Sequence, residues 1–416
     1  MVAVALAGTL DTKGDEYAFL AAGLRQRGVD VVIIDVGTRS APTSVADVSR
    51  FEVAARAGLD LVEVQSSRND RAEILSRMGD GLRDILLEQV HQGRIAGVAG
   101  MGGSGAVTLL APAFSALPVA LPKFLLTTMP ATTVEAAAGS DLTIVTTLLD
   151  IGGLNSFTAG MLERLAAMVA ASTNIEVPTP TTAARIALTM FGVTTTAATA
   201  ARDVLQEEGY EVLTFHANGA GGRCMERMIR DGVFQGVLDL TTTELTDQLL
   251  GGKAAAGPDR LTAAAFAGVP QVVAPGALDI ANFGAPHTLP EPLAGRTTYQ
   301  HGPLDTLVKP SAAELCALAR QIVERTTAPE AKTRILLPTG GLSALSEAGG
   351  AFHDADGEDQ LCALIAEHSQ RSAAWERVAH PLNSVEFGRI AARTLIDHMN
   401  TRTTHNKGNR WTEAAR

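Results

Sequence analysis

Short apolar runs that end in glycine-rich or polar loops, each followed by a stretch of helical period, recur along the chain. VAVALAG is too short for a helix of ordinary length and too uniformly apolar for a half-exposed strand. It reads as a buried strand of the kind found in parallel sheets covered by helices. GTLDTKGDE is its exit loop, YAFLAAGLRQRG an amphipathic helix closed near Gly28, and VDVVIIDVG a second strand, which together make one βαβ unit. Helical segments are expected around residues 44–58 and 69–92, and IAGVAG running into MGGSGAVTLLAPAF repeats strand, glycine loop and helix. LPKFLLTTM and LTIVTTLLDIGGLN continue the alternation into the helix FTAGMLERLAAMVAAS.

The segment NIEVPTPTTAAR, with Pro178 and Pro180, is the best linker candidate, because the pattern restarts beyond it. ARIALTMFG, YEVLTFHA, GVLDLTT, VPQVVAPGALD and RILLPTGG read as strands, with TTTAATAARDVLQEEG, the glycine-led NGAGGRCMERMIRDG, residues 310–325, residues 358–370 and SVEFGRIAARTLIDHM as helices. The expected fold is α/β: two Rossmann-like domains over residues 1–180 and 181–400, each a mostly parallel sheet flanked by helices. Residues 401–416 lack periodicity and are expected to form a flexible tail.

A length of 416 residues exceeds what one core usually organises, which agrees with two domains. The hydrophobic fraction is 46% but the aromatic fraction only 4%, a balance that suits helices on parallel strands better than an aromatic-rich sandwich. With 45 acidic against 34 basic residues and no long basic cluster, the chain offers no track for a nucleic-acid backbone. Apolar stretches stop well short of the roughly 20 residues that span a bilayer, so no membrane insertion is expected. Cys224, Cys316 and Cys362 form no metal or redox spacing and point to the cytoplasm.

In open parallel sheets, ligands sit beyond the carboxyl ends of the strands, where loops expose backbone amides and helix N-termini. GMGGSG (Gly100 to Gly105) lies in that context, with Gly102, Gly103, Ser104 and Gly105 as candidate phosphate contacts. LPKFLLTTM supplies no acidic ribose partner, which disfavours a nicotinamide site, and no Walker lysine follows the loop. A tight turn without ligand is the alternative. GTLDTKG sets Thr9, Asp11, Thr12 and Lys13 at the tip of the first strand, where Lys13 could neutralise a phosphate and Asp11 could hold magnesium. A capped helix start explains the same residues. TTMPATT offers Thr127 and Thr128 to the same cleft, Asp141 follows, and DIGGLN either closes the pocket or caps a helix.

The second half carries its own constellation. His216 and Asn218 precede the glycine loop Gly219, Gly221 and Gly222; Asp239 and Glu244 flank Thr241, Thr242 and Thr243; Arg260, Asp279 and Asn282 follow. His216, with Glu244 or Asp239, could perform acid–base work, because the ordinary histidine pKa lies near the operating pH. Asn218, the loop glycines, the three threonines, Arg260, Asp279 and Asn282 are candidate substrate contacts. His216 and His301 are as readily structural.

GTLDTKG, GMGGSG, SDLTIVTTLLDIGGLN, GYEVLTFHANGAGG, GVLDLTTTE and GALDIANF, taken in order, resemble an uncharacterised two-domain microbial family related to the ATP-binding N-terminal region of the tomato mosaic virus resistance protein. The resemblance spans most of the chain. It implies a Rossmann-like fold repeated twice, binding of ATP and Mg2+, and self-association, with a homodimer expected. The chain departs from the family pattern at TTMPATTVEAAAG, at AVT after the glycine loop, and at HGP around His301.

Three functions compete on these grounds. The first is an ATP-dependent enzyme, transferring a phosphoryl or adenylyl group to a small-molecule acceptor in a cleft between the domains. The second is a nucleotide-sensing regulatory or partner-binding module without turnover. The third is a metal-assisted lyase or hydrolase centred on His216, Asp239 and Glu244, which needs no ATP.

Overall fold

The computed structural model describes residues 3–62, 71–175, 182–369 and 373–408. The chain divides into two compact units, Met1–Thr179 and Pro180–Arg416. Pro178 and Pro180 of the expected linker lie outside the described residues.

The first unit is a five-stranded parallel sheet made of β1 (Ala3–Gly8), β2 (Val31–Asp35), β3 (Ile95–Gly102), β4 (Lys123–Thr127) and β5 (Thr143–Thr146), in the order β2-β1-β3-β4-β5. Alternation along β1 shows why both faces must be covered. Val4 and Leu6 pack with α1 (Leu10–Gln26) and with Leu162, Leu165 and Val169 of α6 (Ser156–Thr173), whereas Ala5 and Ala7 face the opposite core. That second core is filled from α2 (Arg50–Arg56), α3 (Arg71–His91) and α4 (Ser104–Ser115). Short α5 (Pro130–Ala136) follows β4. Residues 44–49, expected to be helical, are not; Ser49 ends that stretch by capping α2, its hydroxyl accepting from the Glu52 amide.

The second unit repeats the winding. Its parallel sheet comprises β6 (Arg185–Met190), β7 (Glu211–His216), β8 (Gly236–Thr241), β9 (Gln271–Gly276), β13 (Thr333–Pro338) and β14 (Ala374–Val378), ordered β14-β13-β9-β8-β6-β7. Counted within each unit, both sheets place strand two beside strand one and strand three on its other side. One face is covered by α7 (Thr195–Glu207) and α13 (Val385–Gly408), the other by α11 (Ala312–Thr326) and α12 (Ala355–Ser369). Between strands run α8 (Ala220–Arg230), α9 (Thr243–Leu250) and α10 (Ala263–Ala267). The crossover from β9 to β13 also carries an antiparallel sheet of β10 (Ala281–Phe283), β11 (Thr298–Gly302) and β12 (Asp305–Val308), in the order β10-β12-β11. Helix α13 continues to Gly408, into the stretch expected to be a flexible tail; residues 409–416 lie outside the description.

No helix among the described residues is long and apolar enough to cross a membrane. The two-domain α/β architecture with helix-flanked parallel sheets is therefore as the sequence led us to expect. The antiparallel sheet was not foreseen.

Candidate functional site

In the first sheet the chain leaves β1 to one side and β3 to the other, so a crevice opens between their carboxyl ends, the switch point at which doubly wound sheets take ligands. Tyr17 holds this opening. The β1–β3 ladder runs only to the Leu6–Ala99 pair. Beyond it the buried Tyr17 hydroxyl donates to the Ala7 carbonyl at 2.8 Å and accepts from the Met101 amide at 2.7 Å. Burial pushes its pKa far up, which keeps it a neutral donor. Gly8 makes room for the ring: a Cβ there would lie 1.9 Å from Tyr17 Cζ.

Both loops singled out in the first half converge on this crevice. A cavity of about 240 Å3 is lined by Thr9, Asp11, Thr12 and Lys13 from one loop, by Gly103, Ser104 and Gly105 from the other, and by Thr38, Arg39, Arg71 and Asp150. GTLDTKG is not an exit loop, as the sequence suggested. Helix α1 already starts at Leu10, with a break from helical geometry at Lys13 (φ −137°, ψ 26°). That break lets Lys13 Nζ donate to the Ile151 carbonyl, while Glu16 accepts from the Gly153 amide at 2.6 Å. The DIGG segment is thereby tied to α1 and Asp150 is set at the rim. Asn155 performs the other expected task and caps α6, accepting from the amides of Phe157 and Thr158.

Helix α4 starts at the cavity. Its N-cap is Gly103 and no side chain caps it, as is also true of α1, α5 and α7 to α10, whereas α2, α6 and α11 are capped by their own side chains. The helix opens onto the cavity with the positive end of its dipole uncompensated. Gly102 sits just below with φ +151°, where a Cβ would meet Ala106 Cβ at 2.5 Å, so the strand-to-helix turn tolerates only glycine there.

Arg39 and Arg71 were not picked out from the sequence. Neither guanidinium has a hydrogen bond or ion pair among the described residues, yet both line the cavity beside Lys13. Arg39 follows β2 in GTRS, a signal legible only once β2 is known to neighbour β1. Asp11 accepts from the Arg39 amide at 2.9 Å through Oδ2, and its Oδ1 is buried without a partner. Thr127 and Thr128 do not line the cavity. Thr127 is buried and accepts from the Met129 amide, and Thr128 stands behind Gly103, its Oγ1 3.5 Å from where a Cβ on that glycine would be. Asp141 lies before β5 and pairs with buried Lys123 at 2.6 Å, so it is no cleft residue.

In the second unit the corresponding opening, between β6 and β8, is filled by the protein itself. Thr189 Oγ1 accepts from the Thr241 amide at 2.9 Å and donates to Asp239 at 2.8 Å. Arg260, 1% exposed, grips Asp239 through both terminal nitrogens, Glu244 through Nε and the Thr241 carbonyl at 3.0 Å. Burial alone would lower the Arg260 pKa, but the Asp239 and Glu244 carboxylates carry it well above its ordinary value. Glu226, also in contact, has its pKa raised by burial.

This network corrects several expectations. Asp239 and Glu244 are buried counter-ions and line neither of the two cavities described, so neither is placed there for proton transfer. Gly219 and Gly222 give their amides to Glu244 Oε1 at 2.8 and 3.2 Å, and Gly221 gives its amide to Asn218, so this glycine loop is already occupied by a carboxylate of the chain. The hydroxyls of Thr241, Thr242 and Thr243 bond to Thr194, the Ala274 carbonyl and the Ile280 carbonyl. Asp279 is fully enclosed and accepts from Ser343 at 2.6 Å. Among the described residues no group of three or more His, Cys, Asp and Glu could hold a metal ion, and the expected lyase or hydrolase centre on His216, Asp239 and Glu244 does not assemble. Of the candidates in this half, His216, Asn218, Asn282 and His301 reach a second cavity, of about 440 Å3, beside β6 and β7.

The fold and first site thus define a doubly wound α/β protein with a polar crevice at its first switch point, lined by Lys13, Arg39 and Arg71 and by Asp11 and Asp150. The chain belongs to the uncharacterised protein family UPF0261: residues 2–178 match its N-terminal domain and residues 183–399 its C-terminal domain. It is 37% identical over 403 residues to a UPF0261 protein of Mesorhizobium japonicum, covering 95% of this chain and 99% of that protein. A UPF0261 protein of Clostridium tetani is 33% identical over 399 residues (95% and 98%). The ToMV resistance protein Tm-1(GCR237) of Solanum lycopersicum is 32% identical over 414 residues, covering 94% of this chain but 54% of the tomato protein. Among solved structures, the glycosyltransferase SnogD from Streptomyces nogalater aligns at 14% identity over 95% of this chain and 99% of its own, with a TM-score of 0.19 that carries no argument.

Proposed function

We propose that the first unit binds the phosphates of ATP, with magnesium, and that the protein is an ATP-dependent enzyme acting on a small-molecule acceptor. The observation that carries this reading is that Arg39 and Arg71, whose guanidinium groups have no partner among the described residues, line with Lys13 the small cavity at the start of α4. Three cations outnumber the two carboxylates, Asp11 and Asp150, around this space, and with the helix N-terminus they favour an anion. At about 240 Å3 the cavity suits a phosphate chain and is too small to enclose a whole nucleotide. The motif resemblance to an ATP-binding region supports ATP as the nucleotide.

Asp11 is the residue that would hold magnesium, since its buried Oδ1 lacks a partner and magnesium favours one or two carboxylates with phosphate oxygens. The ion would supply charge neutralisation on those oxygens. Lys13, Arg39 and Arg71 would spread the remaining charge, and the amides at Ser104 and Gly105 would orient it. A cytoplasmic home agrees with three free cysteines, and self-association is part of the same proposal.

Burial of Asp239 and Glu244 removes two of the three expected acid–base groups, which favours a nucleotide-sensing module as the second reading. Thermal unfolding with ATP, ADP, AMP and NAD, each with and without magnesium, tests the first step, because a ligand held only by the folded chain raises apparent stability. A selective Mg-ATP shift that Lys13→Ala weakens is expected. No shift with any nucleotide would sink the phosphate reading, and a shift without divalent-dependent turnover would select the sensing module.

A further inference from the structure

The cavity in the second unit has the makings of a separate ligand site. Phe191, His216 and Leu307 line it, and the Phe191 and His216 rings stack with centroids 5.3 Å apart and planes 28° apart. A stacked aromatic pair offers a face to a planar ligand.

Its polar groups are asymmetric. Asn282 is 4% exposed and lines the cavity. Its amide NH2 donates to Asp247 at 2.7 Å, and that carboxylate also accepts the backbone amides of Ala254 and Asn282, which fixes the amide orientation. Asn282 Oδ1 therefore carries no hydrogen bond among the described residues and is open to a donor from a ligand. At the rim, Lys253 pairs with Asp305, the cavity's one carboxylate, and His301 stands near enough to help hold the Asp305 carboxyl below the usual range. With Asp305 neutralised by Lys253, His216, His301 and the Asn218 amide are the groups left to receive an acceptor-rich ligand.

We infer that this cavity binds a small aromatic carboxylic acid bearing a hydroxyl or amino donor, its ring on Phe191 and His216, its donor toward Asn282 and its carboxylate among His216, His301 and Asn218. The site is distinct from the nucleotide reading and does not depend on it, so binding is measured without nucleotide.

The probe is 4-hydroxybenzoate, compared with 4-hydroxybenzamide and benzoate, followed on the full-length protein by saturation-transfer NMR and calorimetry. The amide analogue removes the charge and benzoate removes the donor. 4-Hydroxybenzoate is expected to bind about tenfold tighter than either, the size of one lost charge-assisted hydrogen bond. His216→Ala and His301→Ala alter exposed residues, so the fold is retained. Together they are expected to weaken 4-hydroxybenzoate about tenfold or more while the melting temperature stays unchanged. Absence of saturation transfer from 4-hydroxybenzoate, equal affinity for the amide, or binding indifferent to both histidine changes would each overturn the inference. A nucleotide shift that persists while these tests fail would leave the first site standing alone.

Discussion

Two arginines decide how the first site is read. Around the cavity Lys13, Arg39 and Arg71 stand against the carboxylates of Asp11 and Asp150, an excess of positive charge that an entering anion would offset. Changing Arg39 and Arg71 together to alanine should therefore cut Mg-ATP stabilisation by at least half in thermal unfolding, while ligand-free stability stays within about 0.5 kcal/mol. Equal shifts in variant and parent would remove the pair from the site. Arg260 is the converse case, a cation with three carboxylates and no solvent. Arg260→Met strands Asp239 and Glu244 as buried charges and is expected to cost about 3–5 kcal/mol in denaturant unfolding. A loss below about 1 kcal/mol would show that the carboxylates are neutral in the fold.

At the scale of elements, the two sheets solve the same problem differently. Where strand one and strand three diverge, the ladder stops and backbone groups need partners. In the first unit one phenol from α1 serves Ala7 and Met101, and space is left above it. In the second unit a threonine, a carboxylate and Arg260 serve the equivalent strand ends and fill the space. Tyr17→Phe keeps the packing but leaves the Met101 amide and Ala7 carbonyl unpaired, at an expected cost of about 1–3 kcal/mol. Hydrogen exchange should then quicken first at Met101. Unchanged protection there would mean that the ladder closes without the hydroxyl.

For the whole molecule, enclosed carboxyls shape how stability follows pH, Asp247, Asp279 and Glu358 among them. Burial raises Asp247 and Asp279 to about 6, and burial, aided by the nearby Asp279, raises Glu358 to about 7. Between the unfolded values, near 4, and these folded values the native chain binds more protons than the unfolded one, so stability falls as pH rises through that window. Glu314, held down to about 2 by Arg296, acts in the opposite sense and only below its ordinary range. Unfolding free energy is thus expected to decline from pH 5 to 7.5, and Glu358→Gln should flatten the decline relative to the parent. A variant with the parent's slope would show that Glu358 is ionised throughout.

Local pattern alone carried the alternation of strands and helices, the restart near residue 180 and the two glycine-rich loops of the first unit, because strands buried on both faces must be apolar and their exits must turn. It also placed His216 and Asn282 among residues of interest. It did not foresee β10, β11 and β12, whose three to five residues each are too short for a periodic signal, with β11 mostly exposed. It could not separate a phosphate-ready loop from one satisfied from within, since GMGGSG and ANGAGG look alike in one dimension. Only the tertiary structure set Glu244 against the amides of Gly219 and Gly222, buried Asp239 around Arg260, and brought Arg39 and Arg71 to the open switch point. Whether a polar group serves a ligand or the fold depends on which partners reach it, and those partners come from strands and helices distant in sequence.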